Sequence, residues 1–140
     1  MMLSFVQKIR ASAALTSLGQ LESKRHLSGS DISKRNQCVE RLSTIGEPAV
    51  PQLIRKLARA DLSSNSSLIP RVIQNIGDPA VPHLARAMHD RNSTIRHNAI
   101  LLLGRLGTDA AIRELQDESV DLMDKEVVEQ ALHEARLKHR

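Results

Sequence analysis

The amino-acid sequence predicts an all-α chain in which about four antiparallel helix pairs stack as an α-α superhelix, and three observations carry that expectation. The first is internal repetition. Ile45-Gly46-Glu47-Pro48-Ala49-Val50-Pro51-Gln52-Leu53 returns thirty-one residues later as Ile76-Gly77-Asp78-Pro79-Ala80-Val81-Pro82-His83-Leu84, and again, eroded, as Leu106-Gly107-Thr108-Asp109-Ala110-Ala111-Ile112. A fixed period of about thirty residues marks stacked copies of one supersecondary unit, none of which can bury its apolar face alone. The second is composition: 41% of the 140 residues are hydrophobic, but there is one Phe and neither Trp nor Tyr, so the core must be aliphatic side chains packed between helices. The third is apolar spacing near 3.6 residues in every segment between the turns.

The elements follow in order. Phe5, Val6, Ile9, Leu15 and Leu18 make a first helix, and Leu21 to Ser33, with four serines and a glycine, reads as a polar connection. Cys38, Val39, Leu42 and Ile45 form the apolar stripe of the next helix. Gly46 ends it, since glycine takes a left-handed conformation freely. Glu47 and Pro48 open the following helix: Asp is a good N-cap and Asp78 holds this place in the next copy, either carboxylate suits a helix N-terminus, and proline at a first helical position forgoes no needed donor. Its stripe is Val50, Leu53, Ile54, Leu57 and Ala58. Ala60 to Ser67 should hold a loop and the N-cap of a helix carrying Leu68, Ile69, Val72, Ile73 and Ile76, with Pro70 in its first turn. Val81, Leu84, Ala85 and Met88 repeat the outer stripe. Ile95, Ala99, Ile100, Leu102, Leu103 and Leu106 make the most apolar helix, expected at the centre of the stack. Val127, Val128, Ala131, Leu132 and Ala135 close the series.

A single domain over residues 1–140 is expected, with 1–30 a capping helix and linker and 31–140 the repeats. The lone Cys38 permits no internal disulfide, which makes a reducing, cytoplasmic setting the default. Its apolar neighbours at helical spacing favour a buried structural thiol over a nucleophile. No apolar run is long enough to span a bilayer, so no membrane association is expected. Met1 to Leu21 contains Lys8 and Arg10, several Ser and Ala, and no acid; read as a presequence it would redirect the chain to mitochondria. Charge is uneven: residues 1–60 carry ten Lys and Arg against four Asp and Glu, and residues 61–140 carry ten against twelve, within a total of +4. The acids Glu114, Asp117, Glu118, Asp121, Asp124 and Glu126 read as solvated helix faces.

The frame Asn92-Ser93-Thr94-Ile95-Arg96-His97-Asn98-Ala99-Ile100-Leu101-Leu102-Leu103-Gly104-Arg105-Leu106-Gly107, followed by a new outer helix, resembles a HEAT-type repeat of the short subclass associated with phycobilisome lyases. The resemblance runs from about Asp31 to the C-terminus. It implies a ladder between neighbouring repeats from an Asp in the turn and an Arg early in the inner helix, for which Asp90 with Arg96 and Asp31 with Arg35 are candidates; Ser66 and Val127 interrupt it in the other copies. Helical-repeat di-iron hydroxylases place a His-Glu pair where this chain has His97-Asn98, and a single histidine cannot hold two irons. Bilin attachment and base excision in related repeats use aromatic residues that this sequence lacks. No catalytic residue, metal or cofactor is therefore expected.

What remains is a non-enzymatic protein-binding or scaffold module. Aligned polar positions of the inner helices, Arg35, Arg71, Asn75, Arg96, His97, Arg105 and Arg136, would form a ladder across a concave surface one repeat apart. Arginine's planar fork holds carboxylates bidentately, so the expected partner is an acidic protein segment. The alternatives are an accessory subunit or chaperone of a modifying enzyme, in the manner of a bilin-lyase partner, and weak nucleic-acid binding through the basic N-terminal half. Charge alone supports the last, and a chain without base-stacking aromatics disfavours it. His83 and His89 fall on an outer helix, where they cap or face water.

Overall fold

The structure, a computed structural model, describes residues 2–22, 26–58, 68–117 and 120–138. Among them it is all-helical: α1 (Met2–Glu22), α2 (Gly29–Ile45), α3 (Val50–Lys56), α4 (Ile69–Ile76), α5 (Val81–Ala87), α6 (Ser93–Leu106), α7 (Asp109–Leu115) and α8 (Lys125–Lys138), with short 3-10 segments before α3, α5 and α8. Alternate helices pack side by side. One row runs α2, α4, α6, α8 and the other α1, α3, α5, α7, with α1 on α2, α5 on α6 and α7 on α8 joining the rows. The most apolar helix, α6, touches α3, α4, α5, α7 and α8, and its Ala99, Ile100, Leu102 and Leu103 are buried. No described helix is long and apolar enough to cross a membrane.

The first two copies of the repeated motif adopt one turn. Gly46 has φ 74°, ψ −136° and Gly77 has φ 76°, ψ −141°, a region side chains other than hydrogen rarely enter. Each glycine takes the cap position expected of the acids. Glu47 and Asp78 are instead the first residues of a 3-10 turn, closed by Ala49 N–H to Gly46 O and Ala80 N–H to Gly77 O, both at 3.0 Å. The acids still sit at the positive end of the helix. The third copy has no proline, and its turn differs: Gly107 is in a left-handed helical conformation (φ 63°, ψ 14°), and the Thr108 side chain accepts from Ala111 N–H to start α7.

Two expectations at the N-terminal end need correction. The connection after α1 is shorter than Leu21 to Ser33, because Ser28 and Asp31 form a capping box that begins α2 at Gly29 and takes Ser30 and Ser33 into the helix. The apolar face of α1 is also only half used. Ala11, Ala14, Leu15, Leu18 and Leu21 are buried, but Phe5, Val6 and Ile9, expected in the core, are 66%, 44% and 54% exposed. At 21 residues α1 outruns the seven-residue α3 beside it; Gln52 of α3 donates to Lys8 O at 3.0 Å, and among the described residues Phe5, Val6 and Ile9 stay largely uncovered. The expected loop Ala60 to Ser67, and Ser66 within it, lie outside the described residues. The first described position there, Leu68, occupies the N-cap of α4 without a side-chain cap, and Pro70 stands in the first turn as expected.

Close approach fixes the crossing of α6 and α8. A Cβ placed on Gly104 would lie 2.9 Å from Ala131 Cα, Cβ and O, so the two backbones meet where only hydrogen fits.

Candidate functional site

The arginine row is distributed along α2, α4, α6 and α8, and the structure brings only part of it together. Arg71 on α4 and Arg136 on α8 are exposed. Arg105 on α6 is half-buried. Arg35 on α2 lies on the stripe of buried Asp31, Cys38 and Leu42, and its Nε is buried with no hydrogen-bond partner among the described residues. Asn75, though exposed, is tied to the neighbouring helix: its Nδ2 donates to Ser43 Oγ at 3.1 Å, and Ser43 Oγ donates to Val39 O at 2.7 Å.

Arg96 and His97 converge on Asp124. Asn92 caps α6 by accepting from Thr94 and Ile95 N–H, which sets the first turn. From that turn Arg96 Nε donates to Asp124 Oδ2 at 2.9 Å, and His97 Nε2 meets Asp124 Oδ1 at 2.7 Å. An ionised carboxylate only accepts, so His97 Nε2 carries the hydrogen. Asp124 ends the 3-10 turn before α8, and its side chain is 1% exposed, against 19% for Arg96 and 43% for His97. Burial by itself would raise the carboxyl's pKa; hydrogen bonds from Arg96 and His97, with their charges, outweigh it and hold it below its ordinary value of 3.8. The ensemble clamps the start of α8 to the start of α6 and leaves the His97 ring partly open to solvent.

This pairing revises the predicted ladder. Arg96 does reach a neighbouring unit, but its acid is Asp124, which had been grouped with the surface charges. From Asp90 it takes the backbone carbonyl, at 3.0 Å from Nη1, with Arg91 O at 3.2 Å. The Asp90 carboxylate instead accepts from Asn92 N–H, and Asp121, thirty-one residues on, accepts from Met123 N–H in the same way. Both are occupied in a local turn two residues ahead. Asp31 serves the capping box of α2 with Ser28.

Further polar groups join successive units and escaped sequence reasoning. Asn98 is buried, and its Nδ2 donates to Leu57 O at 2.9 Å. Leu57 caps the C-terminus of α3, where carbonyls lack intrahelical donors, so Asn98 satisfies an orphan acceptor inside the core. On the outer row Arg86 Nη2 donates to His83 Nδ1 at 3.2 Å, and His83 Nε2 lies 3.2 Å from Glu47 Oε1, linking α5 to the preceding turn. His83 therefore faces a carboxylate and not water; His89 pairs with Asp117 at 3.4 Å. The signal for Asp124 and Asn98 was present. Asp124 falls on the stripe of Val128, Ala131 and Ala135, and Asn98 on that of Ile95 and Leu102, each a polar residue at a core position. Comparison with known protein families, with curated proteins and with solved structures gave no match.

Proposed function

We propose that this chain is a non-enzymatic binding module, a HEAT-like superhelix whose row of alternate helices holds an acidic segment of a partner protein. The observation that carries the reading is the packing of α2, α4, α6 and α8 side by side, each bearing at least one of the candidate arginines. Within that row Arg71 and Arg136 are exposed on the helices flanking α6, free of the clamp that engages Arg96 and His97. A planar guanidinium on each of several parallel helices suits carboxylates spaced along an extended or helical peptide. Arg96 and His97 contribute chiefly by fixing α8 relative to α6, which keeps the row in register.

The test is capture of partners from the native source by wild type and by Arg71→Glu and Arg136→Glu, with helicity checked by circular dichroism. Proteins held by the arginine row should be lost from both variants, and affinity for a purified partner should fall roughly tenfold or more for each reversal. Identical partners and affinities in all three proteins would refute the reading. Arg96→Glu is a poor probe, because it strands a buried carboxylate and perturbs the fold. A ligand whose affinity falls steeply with salt, and which proves to be nucleic acid, would move the function to the basic N-terminal half.

A further inference from the structure

Among the described residues the array carries a groove at each of its two ends, and the two differ in charge. At one end α1 and α2 enclose about 600 Å3 floored by Ala13, Ala14, Cys38 and Ile45, with Arg10 and Arg41 on the rim. The crevice continues past Ser17 and Gln37 toward Lys34 as a further space of about 310 Å3. It lies on the side of α2 away from α4: Ser43 bonds Asn75 of α4, whereas Arg41, two residues earlier, points to the opposite side of the helix. Val6 stands on the same α1 stripe as Arg10, Ala13 and Ser17, with Phe5 and Ile9 beside it, so the exposed apolar turns of α1 prolong the groove.

At the other end α7 and α8 enclose about 500 Å3 lined by Val120, Val128 and Leu132, with Asp117, Lys125 and Glu129 at its rim. This groove lies on the side of α8 turned from α6: Ala131 meets Gly104, whereas Glu129 lies about 200° around the helix from it. Leu122 and Met123, which lead into α8, are 76% and 83% exposed. Exposed Asp121 and Glu126 flank them. One end thus offers Arg10, Arg41 and Lys34 against Glu40, with Asp31 turned into its capping box; at the other, exposed Asp121, Glu126 and Glu129 outnumber Lys125 and Arg136, with Asp117 turned to His89. The same asymmetry holds between residues 1–60 and 61–140 of the whole sequence.

We infer that copies of this chain associate head to tail, the α7–α8 end of one seated on the α1–α2 end of the next. Apolar strips bordering both grooves would be buried, opposite charges would meet at the rim, and α8 of one copy would continue the row at α2 of its neighbour. Such a heterologous contact joins two different faces, so it propagates instead of closing as a two-fold dimer. The two proposals share Arg136, which stands two turns after Glu129 on the same side of α8, whereas Arg71 on α4 lines neither groove.

Sedimentation of the purified chain tests this with two variants at exposed positions. Ala13→Arg puts a cation on the floor of the first groove, and Glu129→Arg reverses the second. Wild type should show mass that rises with concentration beyond a dimer and falls at high salt. Each variant alone should be monomeric, with apparent dissociation constants raised roughly tenfold or more. Mixed, the two should form a discrete one-to-one dimer, since one intact face of each kind remains while both blocked faces are now cationic and repel. A monomeric wild type, a wild-type dimer whose mass stops growing, or a mixture of variants that stays monomeric would each overturn the inference.

Discussion

Asp124 holds a charge where water does not reach, and the donors that stabilise it come from the first turn of α6. Its folded pKa lies below the ordinary 3.8, so between those two values the unfolded chain binds more protons than the folded one. The stabilisation is therefore fully present above the unfolded pKa and disappears as pH falls through the depressed folded value. Asp124→Asn should cost about 1.5–3 kcal/mol near neutral pH, the range for hydrogen bonds to a charged group. In urea unfolding across a pH series, that gap between wild type and variant should shrink once the pH drops below about 4. A gap unchanged down to strong acid would mean the carboxylate is not held as described. Asn98 makes a similar case without charge. Asn98→Leu keeps the shape but leaves the buried Leu57 carbonyl without its donor, which should cost about 1–3 kcal/mol in chemical denaturation. Stability equal to wild type would show that another group serves that carbonyl.

Between elements, the same substitution should have opposite signs at two glycines. Gly104→Ala drives a methyl into Ala131 at the crossing of α6 and α8, where backbone cannot yield cheaply, and should destabilise by about 1–3 kcal/mol. Gly19 lies exposed inside α1 with nothing within 4 Å of an added Cβ. Gly19→Ala should therefore stabilise by about 0.5–1 kcal/mol through helix propensity. Thermal melts of the two variants beside wild type decide this, and a neutral Gly104→Ala would show that the helices cross farther apart. The turns behave as modular elements too: the copies with proline share one glycine geometry, while the copy without it uses a threonine cap.

Across the whole molecule, stability should be concentrated at α6, which is packed by helices from both rows. Leu103 is fully buried there, and Leu103→Ala should cost about 2–5 kcal/mol from lost transfer energy and the cavity left behind. Val127 on α8 is only half-buried, so Val127→Ala should cost clearly less. Equal costs would argue against an interior-to-end gradient in the array. The half-used face of α1 belongs to this scale, because whether Phe5, Val6 and Ile9 stay in water depends on what meets the end of the stack.

Local, short-range physics made the helices, their apolar stripes and their glycine turns legible in the sequence. A stripe such as Leu53 and Leu57 repeats every 3.6 residues wherever the helix ends up, and the repeated Gly-acid-Pro marks a turn whatever surrounds it. The candidate arginines were legible as positions on α2, α4, α6 and α8, because the apolar stripes mark those helices, although only Arg105 and Arg136 stand one full period apart. Their partners were not. That Arg96 would take Asp124 and not the Asp90 carboxylate, that Asn98 would reach back forty-one residues to Leu57 O, and that Phe5 would lie beyond its neighbours' reach all depend on distances between helices. Those distances are set by packing, down to the hydrogen of Gly104 against Ala131, and only the tertiary structure decided them.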